Sequence, residues 1–276
     1  MPMRIGDDRA VRTPGARVAA TRLRHTESMC GRYVAKSDAK DLVQEYGIAA
    51  EPNETLDEDY NVAPTKKVYV VLERKPKDDV EEPPKRVLTV ARWGLVPSWA
   101  KDPSIGSRMI NARAETLAEK PAFRKAYAKR RCLLPADGYY EWYVPSGQDA
   151  PVGKNGKPVK QPFFIHPGDG SALAMAGLYE WWRDRSRDDD DPEAWRLTCT
   201  VITTEATDAL GRIHDRMPMT VARANWAQWL DPASDQTASV LLPAASAGLD
   251  AYPVSTLVNN VRNNGPELLE PIAPGE

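Results

Sequence analysis

The sequence predicts an α+β protein: one domain with a largely antiparallel, barrel-like β-sheet and surrounding helices. Three observations carry this. Short apolar runs rich in Val, Ile, Tyr, Trp and Thr recur along the chain and are separated by polar loops. Only a few segments carry helix start and stop signals. Strands and helices also do not alternate strictly, which argues against a doubly wound parallel sheet.

Taken in order, residues 1–28 hold six Arg and no Lys and show no hydrophobic period. They are expected to be a disordered leader or a misassigned start, with Met29 as the true first residue. A transit peptide is a further option, because such segments are Arg-rich and acid-poor. From Met29 to about residue 270 the pattern is that of one globular domain, and 271–276 read as a tail. Ser37 is placed to cap a helix through about Tyr46, with Gly47 as its stop. KKVYVVLER (66–74) and RVLTVARW (86–93) read as strands joined by the charged, Pro-rich loop KPKDDVEEPPK. Pro121 is placed to open a helix through about Lys129. Strands are expected near 131–136, 139–144, 162–166, 172–179 and 196–203, with polar loops at 145–160 and 183–194. The four-Asp run 188–191 reads as a solvated loop tip. Thr220 is placed to cap a helix to about Leu230, ended by Asp231-Pro232. No internal repeat is evident.

Composition narrows the function classes. With 276 residues the chain can bury a sizeable core. It has no apolar run long enough for a membrane span and no apolar signal-peptide core, so a cytoplasmic protein is expected. The three cysteines, Cys30, Cys132 and Cys199, form no C-x-x-C pair, so neither a zinc site nor a disulfide framework is expected, and no metal or other cofactor is implied. Cys132 and Cys199 sit in apolar runs and read as buried structural thiols. Cys30 differs, because its neighbours in MCGRY form no apolar run. Net charge is −2, and −5 without the first 28 residues (31 basic against 36 acidic), so any nucleic-acid contact needs a local basic cleft.

Six segments are distinctive together: MCGRY (29–33), YNVAPT (60–65), WGLVPSWA (93–100), INARAET (110–116), ADGYYEW (136–142) and IHDRMP (213–218). Each has an ordinary structural explanation when taken singly. A lone His such as His214 is more often a hydrogen-bonded structural residue, Glu141 between aromatics can be a strand-face carboxylate, and Asn111 can merely shape a turn. In this order, over roughly 29–270, the set closely resembles the SOS-response-associated peptidase family of abasic-site processing proteins. In that family the Cys directly follows the initiator Met and becomes N-terminal. Here Cys30 lies behind 29 residues, so the leader must be removed or never made.

The resemblance implies a reaction with the aldehyde of a ring-opened abasic site in single-stranded DNA. An α-amine with pKa near 7.8 is roughly 14% neutral at pH 7, against about 0.04% for a free Lys. The thiol, roughly 3% thiolate at that pH, would then close a thiazolidine on the imine carbon. By resemblance Cys30, Asn111, Glu141 and His214 are the catalytic set. Glu141 serves as general acid/base, His214 assists sugar ring-opening, and Asn111 holds the amine or the sugar. Arg32, Arg113 and Arg216 are expected on phosphates, since guanidinium forks match phosphate oxygens. Trp99 and Trp93 are expected to stack a base, Trp93 being equally suited to a core, and Asn61 and Thr203 to line the DNA path. The resemblance also implies association with the nucleoid and the replication machinery; a monomer is the default. Two other readings compete. One is a thiol protease or amidase with Cys30 as nucleophile and His214 as base, whose minimal form is self-cleavage after Met29. The other is a non-catalytic single-strand binding module.

Overall fold

The computed structural model describes residues 30–74, 84–145, 152–153, 156, 158–188, 190–206 and 213–272. Residues 1–29, most of the loops 75–85 and 145–160, Asp189, residues 207–212 and residues 273–276 lie outside the described residues. The expected leader, and all but the first two residues of the expected tail, fall there.

One sheet has five strands in the order β13–β8–β7–β1–β2: β1 (Tyr33–Ala35), β2 (Asp59–Val62), β7 (Gly138–Tyr143), β8 (Gln161–Pro167) and β13 (Leu249–Pro253). The other has eight: β3 (Lys67–Arg74), β4 (Lys85–Trp93), β5 (Asn111–Arg113), β6 (Arg131–Ala136), β9 (Leu173–Arg183), β10 (Trp195–Glu205), β11 (Arg216–Val221) and β12 (Leu241–Pro243). Within it β9–β6–β3–β4–β10 run in order and β10 pairs back onto β9, which closes a ring of strands. Pairing is antiparallel throughout except β10 with β4 and with β5. The expected α+β class and antiparallel bias hold, and the closed ring is the feature anticipated as barrel-like.

The period of two along each strand sorts side chains between two cores. Val68, Val70, Leu72, Cys132, Leu134, Cys199 and Val201 pack in one cluster with Trp93 and Tyr139. Their neighbours Tyr69, Val71, Leu133, Ala176 and Ile202 pack in the other, with Leu42 and Tyr46 of α1 (Ala39–Tyr46) and Trp226, Trp229 and Leu230 of α3 (Trp226–Leu230). Both faces of the ring strands are therefore buried, which is why they read as nearly continuous apolar runs. Cys132 and Cys199 are fully buried free thiols, as expected. The guanidinium of Arg131 is buried and ties helix ends to β6. It donates to the carbonyls of Tyr127 and Ala128 in α2 (Arg124–Lys129), and to those of Trp229, Asp231 and Ser234 around the end of α3.

Three helix boundaries differ from expectation. The cap of α1 is Asp38, not Ser37; its carboxylate accepts from the Lys40 and Asp41 N–H groups, while Gly47 stops the helix at φ 63° as expected. Pro121 does not open α2, which begins three residues later after a run of turns. Thr220 caps nothing: it is a ladder residue of β11, opposite Leu242 and Met175, and α3 begins only at Trp226. Its β-branch favours the strand, and sheet pairing outweighed the capping signal. Among the described residues no helix is long and apolar enough to cross a membrane.

Candidate active site

The two sheets meet where β10 changes partners. Its first half pairs with β9 and β4; its last residues pair with β5 on one side (Val201–Asn111, Thr203–Arg113) and β11 on the other (Thr203–Pro218, Glu205–Arg216). This switch sets Asn111 and Arg216 on either side of β10. From the other sheet, β1 pairs with β7 (Tyr33–Tyr139, Val34–Gly138), and the Tyr140 N–H donates to the Arg32 carbonyl. Gly138 is required there, because a Cβ at that position would meet the Phe164 ring at 2.5 Å and the Ile165 carbonyl oxygen at 2.6 Å. The pairing of β7 with β1 carries Glu141 to Cys30, in the turn three residues before β1.

The Cys30 N–H donates to Glu141 Oε1 at 2.6 Å, and both residues are buried. Cys30 has φ 43°, in the left-handed region, so the backbone turns sharply as it enters β1. Asn111 Nδ2 donates to the Cys30 carbonyl at 3.4 Å. Cys30 Sγ lies 3.9 Å from the Arg216 carbonyl oxygen. His214 Nε2 lies 4.0 Å from Glu141 Oε2; its Nδ1 accepts from the Arg216 N–H at 3.1 Å and lies 3.2 Å from the exposed Asp215 carboxylate. An acceptor Nδ1 leaves the proton of the neutral ring on Nε2, facing Glu141. The four residues expected to be catalytic are thus gathered from four segments into one cluster.

Burial dominates the electrostatics. It pushes the Glu141 carboxyl up to about 8, so this group holds a proton at neutral pH. It lowers His214, which keeps the imidazole neutral, and it drives the Cys30 thiol well above its ordinary value, an effect that nearby Glu141 strengthens. The cluster offers a carboxylic acid that titrates near neutrality, a neutral imidazole beside it, and a backbone nitrogen aimed at the acid. It does not offer a ready-made thiolate.

The residues expected on DNA divide sharply. Trp99 is 56% exposed and Arg113 is exposed. Arg32 is half-buried: it donates to Asn61 Oδ1 and the Val258 carbonyl and lies over the Trp142 ring, bordering a cavity of about 380 Å³ with Val159, Lys160 and Asn259. Trp93 corrects an expectation. It is 1% exposed, its indole N–H donates to the Ile110 carbonyl, and Tyr33 meets it edge-on, so it belongs to the core. Asn61 is fully buried, and its amide donates to the carbonyls of Val258, Asn260 and Asn263, so it anchors the 256–264 segment. Thr203 is likewise fully buried in β10. The Arg216 guanidinium is buried and forked onto Glu115 at 2.8 and 3.0 Å, so it is not a free phosphate clamp. Glu115 itself was not singled out as a site residue, although it stands in the INARAET motif. Only the residue type four positions after Asn111 could have hinted at it.

Fold and site together define a class: a ring of strands joined to a second sheet, with a cysteine, a buried carboxyl and an imidazole gathered at the junction. Residues 29–261 match the SOS response associated peptidase (SRAP) family, and the chain belongs to it. It is 39% identical over 248 residues to the abasic site processing protein YoqW of Bacillus subtilis (strain 168), with 88% of this chain and 99% of that protein covered. The abasic site processing protein HMCES of Gallus gallus is 32% identical over 244 residues, with 78% and 67% covered. A crystal structure of a protein from Bacteroides thetaiotaomicron superimposes with a TM-score of 0.69 at 26% identity, covering 88% of this chain and 100% of that one.

Proposed function

We propose that the protein processes abasic sites in single-stranded DNA by forming a covalent cross-link through Cys30, once Cys30 carries a free α-amine. The neutral amine adds to the aldehyde of the ring-opened sugar and water leaves, giving an imine. The thiol then adds across the C=N bond, its proton passing to nitrogen, and a five-membered thiazolidine closes. The net change is the loss of one water. The product holds the DNA through two bonds on one carbon and shields the lesion. The relatives' names as abasic site processing proteins support the substrate.

The single observation that carries this reading is the Cys30 nitrogen 2.6 Å from the buried Glu141 carboxyl. A carboxyl that titrates at about 8 can both give and take a proton near pH 7, as carbinolamine dehydration requires. His214, neutral with Nε2–H toward that carboxyl, assists opening of the sugar ring. Asn111 holds the Cys30 backbone in place. Arg113 and Arg32 meet phosphates, and Trp99 stacks a base beside the lesion. A protein acting on single-stranded DNA would work at the nucleoid, near replication.

The thiol-protease alternative receives less support. A protease nucleophile needs a depressed thiol pKa and a base hydrogen-bonded to sulfur. Here burial raises the thiol, its hydrogen bond with the Glu141 carboxyl raises it further, and Sγ also faces the Arg216 carbonyl, so neither partner activates it as a thiolate. Self-cleavage after Met29 remains one route to a free Cys30 amine. The test is a denaturing gel of protein beginning at Cys30 mixed with an abasic single-stranded oligonucleotide. A shifted band is expected with the lesion and none with intact DNA; no band with the lesion overturns the reading.

A further inference from the structure

Arg216 holds three parts of the site through its backbone and side chain. Its N–H donates to His214 Nδ1 at 3.1 Å, and its carbonyl oxygen faces Cys30 Sγ at 3.9 Å. Its guanidinium reaches the other way. Nη1 and Nη2 fork onto the two Glu115 carboxylate oxygens at 2.8 and 3.0 Å, and Nη2 also donates to the Thr203 carbonyl at 2.7 Å. Thr204 Oγ1 donates to Glu115 Oε1 at 3.3 Å, so the carboxylate has support from β10 as well. Burial is the largest single influence and acts to raise the Glu115 carboxyl, but the hydrogen bond and charge of Arg216, the Glu115 backbone N–H and Thr204 together outweigh it and hold the group below its ordinary value, so it is ionised.

We infer that Glu115 is a positioning residue of this active site: its bidentate pair with Arg216 sets the backbone of residues 214–216 and thereby holds His214 in the Nε2–H form toward Glu141. Two parallel N–H···O bonds to a planar fork fix direction as well as distance. The His214 ring nitrogen is two residues from the anchored one. A displacement of about 1 Å at an acid–base group is enough to slow a reaction by up to roughly 100-fold. Glu115 touches no reacting atom, so its loss acts on the chemical step and not on DNA binding. The inference concerns the same site as the proposed cross-link, but the arrangement it describes exists without DNA and can be read without activity.

The test uses protein beginning at Cys30, in which two histidines remain of the three in the chain, His166 and His214. Imidazole 15N spectra report which ring nitrogen carries the proton. His166 Nδ1 lies 2.9 Å from the Pro167 carbonyl oxygen, which assigns that ring the opposite tautomer and makes it an internal control. In wild type, His214 is expected to show a single Nε2–H signature. In Glu115→Gln, which keeps the shape but removes the charge, it is expected to show a tautomer mixture while His166 is unchanged. Cross-linking to a single-stranded oligonucleotide with one abasic site is expected to lose about tenfold or more in the rate at saturating DNA, with the half-saturating concentration within twofold. Glu115→Asp, with charge retained, is expected to fall between the two and serves if the Gln variant does not fold. An unchanged His214 signature in a folded Glu115 variant overturns the inference. If wild type forms no cross-link at all, the cross-linking function fails while the NMR comparison still decides this one.

Discussion

The backbone nitrogen of Cys30 and a carboxylate oxygen of Glu141 stand 2.6 Å apart although 111 residues separate them in sequence. The contact joins the turn entering β1 to the middle of β7, with both groups out of solvent. A buried carboxyl next to a nitrogen has two consequences, one for chemistry and one for stability.

Glu141→Gln is expected to reduce cross-linking about 100-fold or more, since the acid–base group is lost while the shape is kept. The same substitution should stabilise the protein at alkaline pH. The folded-state pKa of about 8 lies above the ordinary 4.5. The folded state therefore holds a proton that the unfolded chain has released, and wild-type stability falls as pH rises from 4.5 through 8. Thermal unfolding at pH 5 and pH 8.5 checks this. The wild-type Tm should drop more across that interval than the variant's, by about 10 °C for a loss on the order of 4 kcal/mol.

The same titration shapes the rate. Below about 8 the Glu141 carboxyl is protonated, and the neutral His214 can work beside it. The initial cross-linking rate is expected to decline above pH 8 as that proton is lost, even though the amine becomes more nucleophilic there. A rate that keeps rising to pH 9.5 would remove Glu141 from the acid role. His214→Ala should slow the reaction about 100-fold at pH 7.

The two tryptophans of the WGLVPSWA segment should respond oppositely. Trp99→Ala, at a 56% exposed position, should leave Tm unchanged and weaken single-strand binding by ~1–3 kcal/mol. Trp93→Ala removes a ring that is 1% exposed and packed on Tyr33, and should destabilise the fold by roughly 3–5 kcal/mol. Tm and oligonucleotide titration on the two variants separate these outcomes.

The arginines divide in the same way. Arg113 is exposed, so Arg113→Ala should lower the slope of log affinity against log salt by about 0.7 for single strands, with little change in Tm. Arg216→Ala removes the bidentate partner of the Glu115 carboxylate and the side-chain donor to the Thr203 carbonyl. It should lower Tm and lose cross-linking together, with no matching change in the salt slope.

Legibility followed physical range. The strands β3, β4 and β6 to β10 were readable because their patterns are local and repeat over six or more residues. The three-residue strands β1, β5 and β12 exist only through their partners, and nothing in three residues announces a ladder. Thr220 shows the limit from the other side, since a capping residue type was overruled by a sheet partner 22 residues away. In the site, Cys30, Asn111, Glu141 and His214 stood out by residue type within motifs, and the fold gathers them. Asn61, Trp93 and Arg216 stand in the same motifs and Thr203 in the strand read near 196–203, but their burial is decided by ring closure and by the 256–264 segment, which no local pattern encodes. Glu115 was passed over for the complementary reason: its partner lies 101 residues away.

The most direct measurement is the intact mass of the adduct between abasic single-stranded DNA and protein whose first residue is Cys30. The account predicts a product equal to protein plus DNA minus one water, stable to denaturation without reductant for wild type. For Cys30→Ser it predicts a heat-labile adduct trapped only by borohydride. A stable adduct of the same mass from protein whose Cys30 nitrogen is acylated, or none from protein with that nitrogen free, would contradict it.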